Sequence, residues 1–89
     1  MSSVVPRRRA TVAGRITSVR EVRRPWPLFD VQLSDGTGSI TLRFMGRRAI
    51  PGMAPGCRLL VEGMPAREAG VLLMRNPLYS FSSEDNEVW

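Results

Sequence analysis

The sequence predicts a small all-β barrel of five strands, on three observations. Apolar and polar residues alternate through most of the chain. Gly and Pro recur about every ten residues and divide it into short strands. At 89 residues there is material for one small domain, and a closed barrel is one way for so short an all-β chain to avoid exposed edges.

The first strand spans about residues 10–23, with Val12, Gly14 and Ile16 followed by Val19 and Val22. The alternation changes phase between Ile16 and Val19, which predicts a bulge and a strand bent enough to serve two sheet layers. In the second strand Phe29, Val31 and Leu33 face the core and Leu28, Asp30 and Gln32 face out. Asp35-Gly36-Thr37-Gly38 is a hairpin loop in which Asp35 hydrogen-bonds its own turn. In the third strand Ile40, Leu42 and Phe44 point inward and Thr41, Arg43 and Met45 outward. Residues 46–56, with two prolines, form a break holding at most a short helical turn near 47–50. A fourth strand covers 57–62, with Cys57 as a small core or edge residue. Residues 66–70 read as a loop and 71–74 as a fifth strand, stopped by Asn76-Pro77. Tyr79 and Phe81 either seal the barrel or extend a surface platform, and sealing is the favoured reading.

Composition excludes several function classes. There is no histidine and one cysteine, which removes the usual proton shuttle, the usual zinc donor sets and any internal disulfide. No apolar run approaches the ~18–20 residues that cross a bilayer, and the charged start lacks the apolar core of a secretory signal. A soluble cytoplasmic protein without a cofactor is expected. All thirteen cations are arginine, and the formal charge is +5. Coding bias accounts for the missing lysine. It does not account for the excess of cations, which points to an anionic partner, nucleic acid first. The charge is uneven. Residues 1–24 carry seven arginines and one glutamate, residues 25–79 six arginines and four acids, and residues 80–89 three acids alone. The chain thus divides into a basic flexible arm (1–9), a barrel (10–81) and an acidic flexible tail (82–89).

Four motifs occur in order: Val12-Ala13-Gly14-Arg15-Ile16, then Leu33-Ser34-Asp35-Gly36-Thr37-Gly38-Ser39-Ile40-Thr41-Leu42-Arg43-Phe44, then Pro55-Gly56-Cys57-Arg58-Leu59-Leu60-Val61-Glu62-Gly63, then Met74-Arg75-Asn76-Pro77-Leu78-Tyr79. Across residues 10–81 the chain resembles an OB-fold nucleic-acid-binding domain, of the kind found as the wedge of RecG-type helicases and as the anticodon-binding domain of some tRNA synthetases. The resemblance implies a five-stranded Greek-key barrel that binds oligonucleotides on the face of its second and third strands, rimmed by its 1–2 and 4–5 loops. That face carries Gln32, Thr41 and Arg43. The first rim is 23–27 and the second 65–70. Related domains often carry further aromatics after the third strand, where this chain has Met45 and Gly46. Helicase motifs are absent from the sequence.

Each candidate has a plainer reading. Trp26, flanked by Pro25 and Pro27, either stacks on a base or caps the barrel end. Arg15, Arg20, Arg23, Arg24, Arg43, Arg47, Arg48 and Arg67 either meet phosphates or form solvated ion pairs with Glu21, Asp30 and Glu62. Any single arginine reads more simply as solvated, whereas the set favours binding. Arg7-Arg8-Arg9 either wraps phosphates or only aids solubility. Glu84, Asp85, Glu87, Val88 and Trp89 form an acidic segment with an apolar end, similar to the tip of bacterial single-stranded-DNA-binding proteins. It recruits a protein partner, competes for the arginine face, or is simply a frayed end.

The leading expectation is therefore a non-enzymatic module for single-stranded DNA or RNA. The alternative is a protein-interaction adaptor working through the acidic tip or the barrel surface. An enzyme ranks last, because the eight acids are scattered and no base accompanies them. Leu28, Leu60 and Leu72 are candidates for exposed apolar contacts between copies.

Overall fold

The computed structural model describes residues 4–82. They form seven strands: β1 Ala10–Val22, β2 Leu28–Ser34, β3 Ser39–Met45, β4 Arg58–Gly63, β5 Pro65–Glu68, β6 Val71–Arg75 and β7 Leu78–Phe81. All belong to one sheet in the order β5-β6-β3-β2-β1-β4-β7. The described residues are all-β, as the alternation predicts, but they form seven strands in one sheet that runs from β5 to β7 without closing, instead of the expected five-stranded barrel.

β1 is the organising strand because it serves two neighbours. Ala10 to Arg15 pair with β4, and Arg15 to Val22 pair with β2. The register shifts between Ile16 and Ser18, where the sequence alternation changes phase. Gly14 sits at this changeover, and a Cβ there would lie 2.7 Å from the Ser34 carbonyl oxygen. No other residue fits without moving that backbone.

The hydrophobic alternation is fully used. Phe29, Val31, Leu33, Ile40, Leu42 and Phe44 are buried in one cluster with Val12, Ile16, Leu59, Val61 and Met74. Phe29 opposes Phe44, and Val31 opposes Leu42, so the inward rows of β2 and β3 pack side by side. In the hairpin between them the Asp35 carboxylate accepts from the Thr37 backbone N–H at 2.8 Å and from its hydroxyl at 2.6 Å, the self-stabilised turn that the sequence predicts.

Three expectations need correction. The described residues contain no helix. Residues 47–50 are irregular, because Pro51 and Pro55 cannot donate and Gly52 and Gly56 take positive φ. Ile50 and Met53 from this segment still enter the core, and it is tied to β1 by the Gly56 N–H donating to the Ile16 carbonyl and the Ile16 N–H donating to the Cys57 carbonyl. The expected loop at 66–70 is mostly strand. β5 follows β4 after the single residue Met64 and pairs with β6, and the turn is only Ala69 and Gly70, both at positive φ. Leu72 is buried in the core, whereas Leu60 is exposed and Leu28 half-buried.

β7, like β5, is an additional strand. It pairs with β4, and Tyr79 packs edge-to-face on Phe44 at 5.6 Å. In the arm, the Arg7 backbone N–H donates to the Pro65 carbonyl and Arg9 pairs with Glu62 at 2.9 Å.

Candidate nucleic-acid interface

Strand register builds the outward face in transverse rows. Residues paired across neighbouring strands share one side of the sheet. The first row is Val22, Leu28 and Met45. The second is Arg20, Asp30, Arg43 and Arg75, one residue from each of β1, β2, β3 and β6. The third is Ser18, Gln32, Thr41 and Leu73. The six positions expected to point outward on the second and third strands share this side of the sheet, but only Met45 is exposed; Leu28, Gln32 and Arg43 are half-buried, and Asp30 and Thr41 are buried beneath their neighbours.

The middle row is held by ion pairs. Arg43 donates from Nε to Asp30 Oδ1 and from Nη2 to Asp30 Oδ2, both at 3.0 Å. This fork-on-carboxylate geometry is the strongest form of the pair. The hydrogen bonds that Arg43 donates to Asp30 raise its pKa above the ordinary value, against the opposing effect of burial. Arg75 forms the same kind of clamp with Glu68 on β5, Nη2 to Oε1 at 2.7 Å and Nη1 to Oε2. Arg75 thereby gains and the Glu68 carboxyl falls below its ordinary pKa, each because of hydrogen bonds to the other. Glu68 opposes Val71, four residues before Arg75, so the clamp spans Leu73, which is buried although it faces outward. In the third row Gln32 Nε2 donates to Thr41 Oγ1 at 2.7 Å.

A second group forms at one end of the face. Trp26 lies in the 23–27 loop and is 71% exposed, so it does not cap the core. The loop after β3 is bound beside it, because Gly46 N–H donates to the Pro27 carbonyl at 2.8 Å. Ala49 N–H donates to Glu21 Oε2 at 3.1 Å, tying the same loop to the end of β1. These two bonds bring Arg47 and Arg48 into one lobe with Arg20, Arg23, Arg24 and Trp26. Arg23 stands 3.6 Å from Glu21. Arg20, Arg24, Arg47 and Arg48 have no ion-pair partner among the described residues.

Two predicted residues stand apart. Arg15 pairs with Ser34 and Arg58 positions on its neighbouring strands and donates to the Gly56 carbonyl at 2.7 Å. Arg67 is exposed on β5, at a groove with Gln32, Gly38 and Gly70 near the hairpin end of the face. The two rims therefore lie at opposite ends, since β6 begins beside the start of β3. Glu84, Asp85, Glu87, Val88 and Trp89 lie outside the described residues.

The sequence places Glu68 only in the 65–70 rim; its clamp on Arg75, Arg75 itself as a face residue and the tethering role of Glu21 are not legible there. Arg75 ends an apolar run and reads there as a strand terminus. Only the parallel β3–β6 register sets it beside Arg43.

No cluster of three or more His, Cys, Asp or Glu side chains able to hold a metal occurs among the described residues. No described helix is long and apolar enough to cross a membrane. No protein-family model matches the chain, and no curated protein matches it.

Proposed function

We propose that the chain is a non-catalytic binding module of OB type for single-stranded DNA or RNA, working through the β2–β3 face and its flanking loops. The observation that carries the reading is the arginine lobe. Five arginines and an exposed tryptophan share it with one carboxylate, Glu21, whose Oε2 is already committed to Ala49 N–H. Exposed guanidiniums attract phosphate, and an exposed indole offers a stacking surface for a base.

The strand topology supports the OB part of the reading. β1, β2 and β3 form an antiparallel meander, β6 runs parallel to β3, and β4 returns to β1. β4 and β5, split only by Met64, pair with β1 and β6 respectively. Reading β4 and β5 as one bent strand makes β1, β2, β3, β4–β5 and β6 the counterparts of the five strands of such a barrel, with β7 added at β4, although the sheet itself is not closed.

Fluorescence anisotropy with labelled single-stranded DNA and RNA across a salt series tests the proposal. Binding should weaken with salt at about −0.7 log units per phosphate contact, giving a slope of about −2 to −3 for three or four contacts. Undetectable binding of both strands at ~50 mM salt, where phosphate contacts are strongest, defeats the reading. The relative affinity of the two strands identifies the preferred nucleic acid.

A further inference from the structure

The strand face of a single-strand binder needs something for bases to stack on, and among the described residues the rows of this face carry no aromatic side chain. Its three rows hold Val22, Leu28, Met45, Leu73 and polar or charged residues, while Phe29 and Phe44 are buried on the other side. What it does carry is a pair of guanidiniums, Arg43 and Arg75, adjacent across the β3–β6 pair. Each is clamped by a carboxylate through two hydrogen bonds. Such bonds lie in the guanidinium plane, so they fix the plane and take up none of the hydrogen-bond-free face. The carboxylates also offset the charge that a phosphate would seek. The Arg43 and Arg75 side chains remain 32% and 44% exposed. Guanidinium planes stack on nucleobases. In the next row the Gln32 amide, anchored on Thr41, retains hydrogen-bonding capacity for a base edge.

We infer that the clamped guanidiniums of Arg43 and Arg75 form the base-stacking platform of the strand face, while the lobe arginines take the phosphates. The inference rests on the nucleic-acid reading proposed above and divides its labour. Asp30 and Glu68 are positioning residues, which hold a flat cationic group in place and mute its charge. Binding at the platform depends on the presence of bases and hardly on salt. Binding at the lobe depends on salt and hardly on bases.

The test compares the full chain on a short labelled oligothymidylate and on an abasic strand of equal length, each over a salt series. Arg43→Lys keeps the charge and a cationic partner for Asp30 but removes the plane. It should weaken oligothymidylate binding about tenfold, leave the salt slope unchanged and leave abasic binding within about twofold. Arg75→Lys, at a more exposed position, should act in the same direction by about threefold, and it decides the matter if thermal melting shows Arg43→Lys to be unfolded. Equal losses on both strands, a slope less negative by about 0.7, or no loss in either folded variant overturns the platform. Failure of the unmodified chain to bind either strand instead overturns the nucleic-acid reading itself, and the platform with it.

Discussion

On the strand face, Arg43 and Arg75 each meet a carboxylate through two hydrogen bonds; in the loop lobe, Arg24, Arg47 and Arg48 meet no carboxylate among the described residues. The contrast separates two uses of one residue type. A clamped guanidinium contributes shape and fixed geometry, and its charge is largely spent within the fold. A free one contributes charge and pays for its freedom only in side-chain entropy when it binds. The formal +5 therefore misstates what a ligand meets at any one place: the clamped pairs on the face are close to neutral, and the lobe, which Arg20 joins to the face, is strongly basic.

The sharpest break of this comparison is a stability experiment. Asp30→Ala leaves Arg43 partly buried without its carboxylate, and should lower the unfolding free energy by about 2 kcal/mol, less than for a fully buried pair because water reaches Arg43. Arg24→Ala should stay within about 0.5 kcal/mol. Urea unfolding midpoints at constant m-value measure both, and equal shifts would erase the distinction.

Binding probes the other side. Trp26→Ala should weaken single-strand binding by about 1–2 kcal/mol while leaving the melting temperature nearly unchanged, since the indole is largely exposed. An unchanged affinity would remove Trp26 from the interface. The double variant Arg24→Ala/Arg48→Ala should make the salt slope less negative by about 1.4, two single-strand phosphate contacts. No change in slope would mean that the lobe does not touch phosphate.

The smallest effect concerns acid. Glu68 is held below its ordinary carboxyl pKa by Arg75, so the folded state binds fewer protons there than the unfolded chain. Its contribution to stability is present above the unfolded value near 4.5 and disappears as pH falls through the lower folded value. Glu68→Gln should therefore flatten the acid limb of the stability curve slightly, as read from melting temperatures between about pH 5 and pH 2. Superimposable curves would show the clamp to be energetically silent.

Much of this arrangement is legible in the residues. The outward set Asp30, Gln32, Thr41 and Arg43 follows from alternation, because side chains in a strand change face at every residue. The bulge in β1 is visible as a phase change, and the hairpin as Asp-Gly-Thr-Gly. The irregular segment after β3 departs from the expected helical turn for a physical reason. Arg47 to Ile50 could sustain a helical turn locally, but its backbone is drawn into bonds with Glu21 and with the core-facing turn at Met53. β5 was hidden because Pro65 to Glu68 lacks alternation. Its pairing comes from the tight Ala69-Gly70 turn, which folds it back on β6. Arg15 reads like the other arginines in sequence, yet the bend of β1 takes it to the Gly56 carbonyl.

The sequence by itself determined the all-β class, the inward rows from Phe29 to Phe44, and the two ends between which the arginines fall. Those features depend on a period of two and on local turn chemistry, which neighbouring residues are enough to express. Only the tertiary structure decided which arginines are clamped and which are free. That depends on which strand lies beside which and in what register, above all on β6 lying parallel to β3, so that Arg75 stands next to Arg43, and on two loop bonds that gather Arg47 and Arg48 beside Trp26. Alternation tells a side chain which face to take, but not which neighbour it will find there.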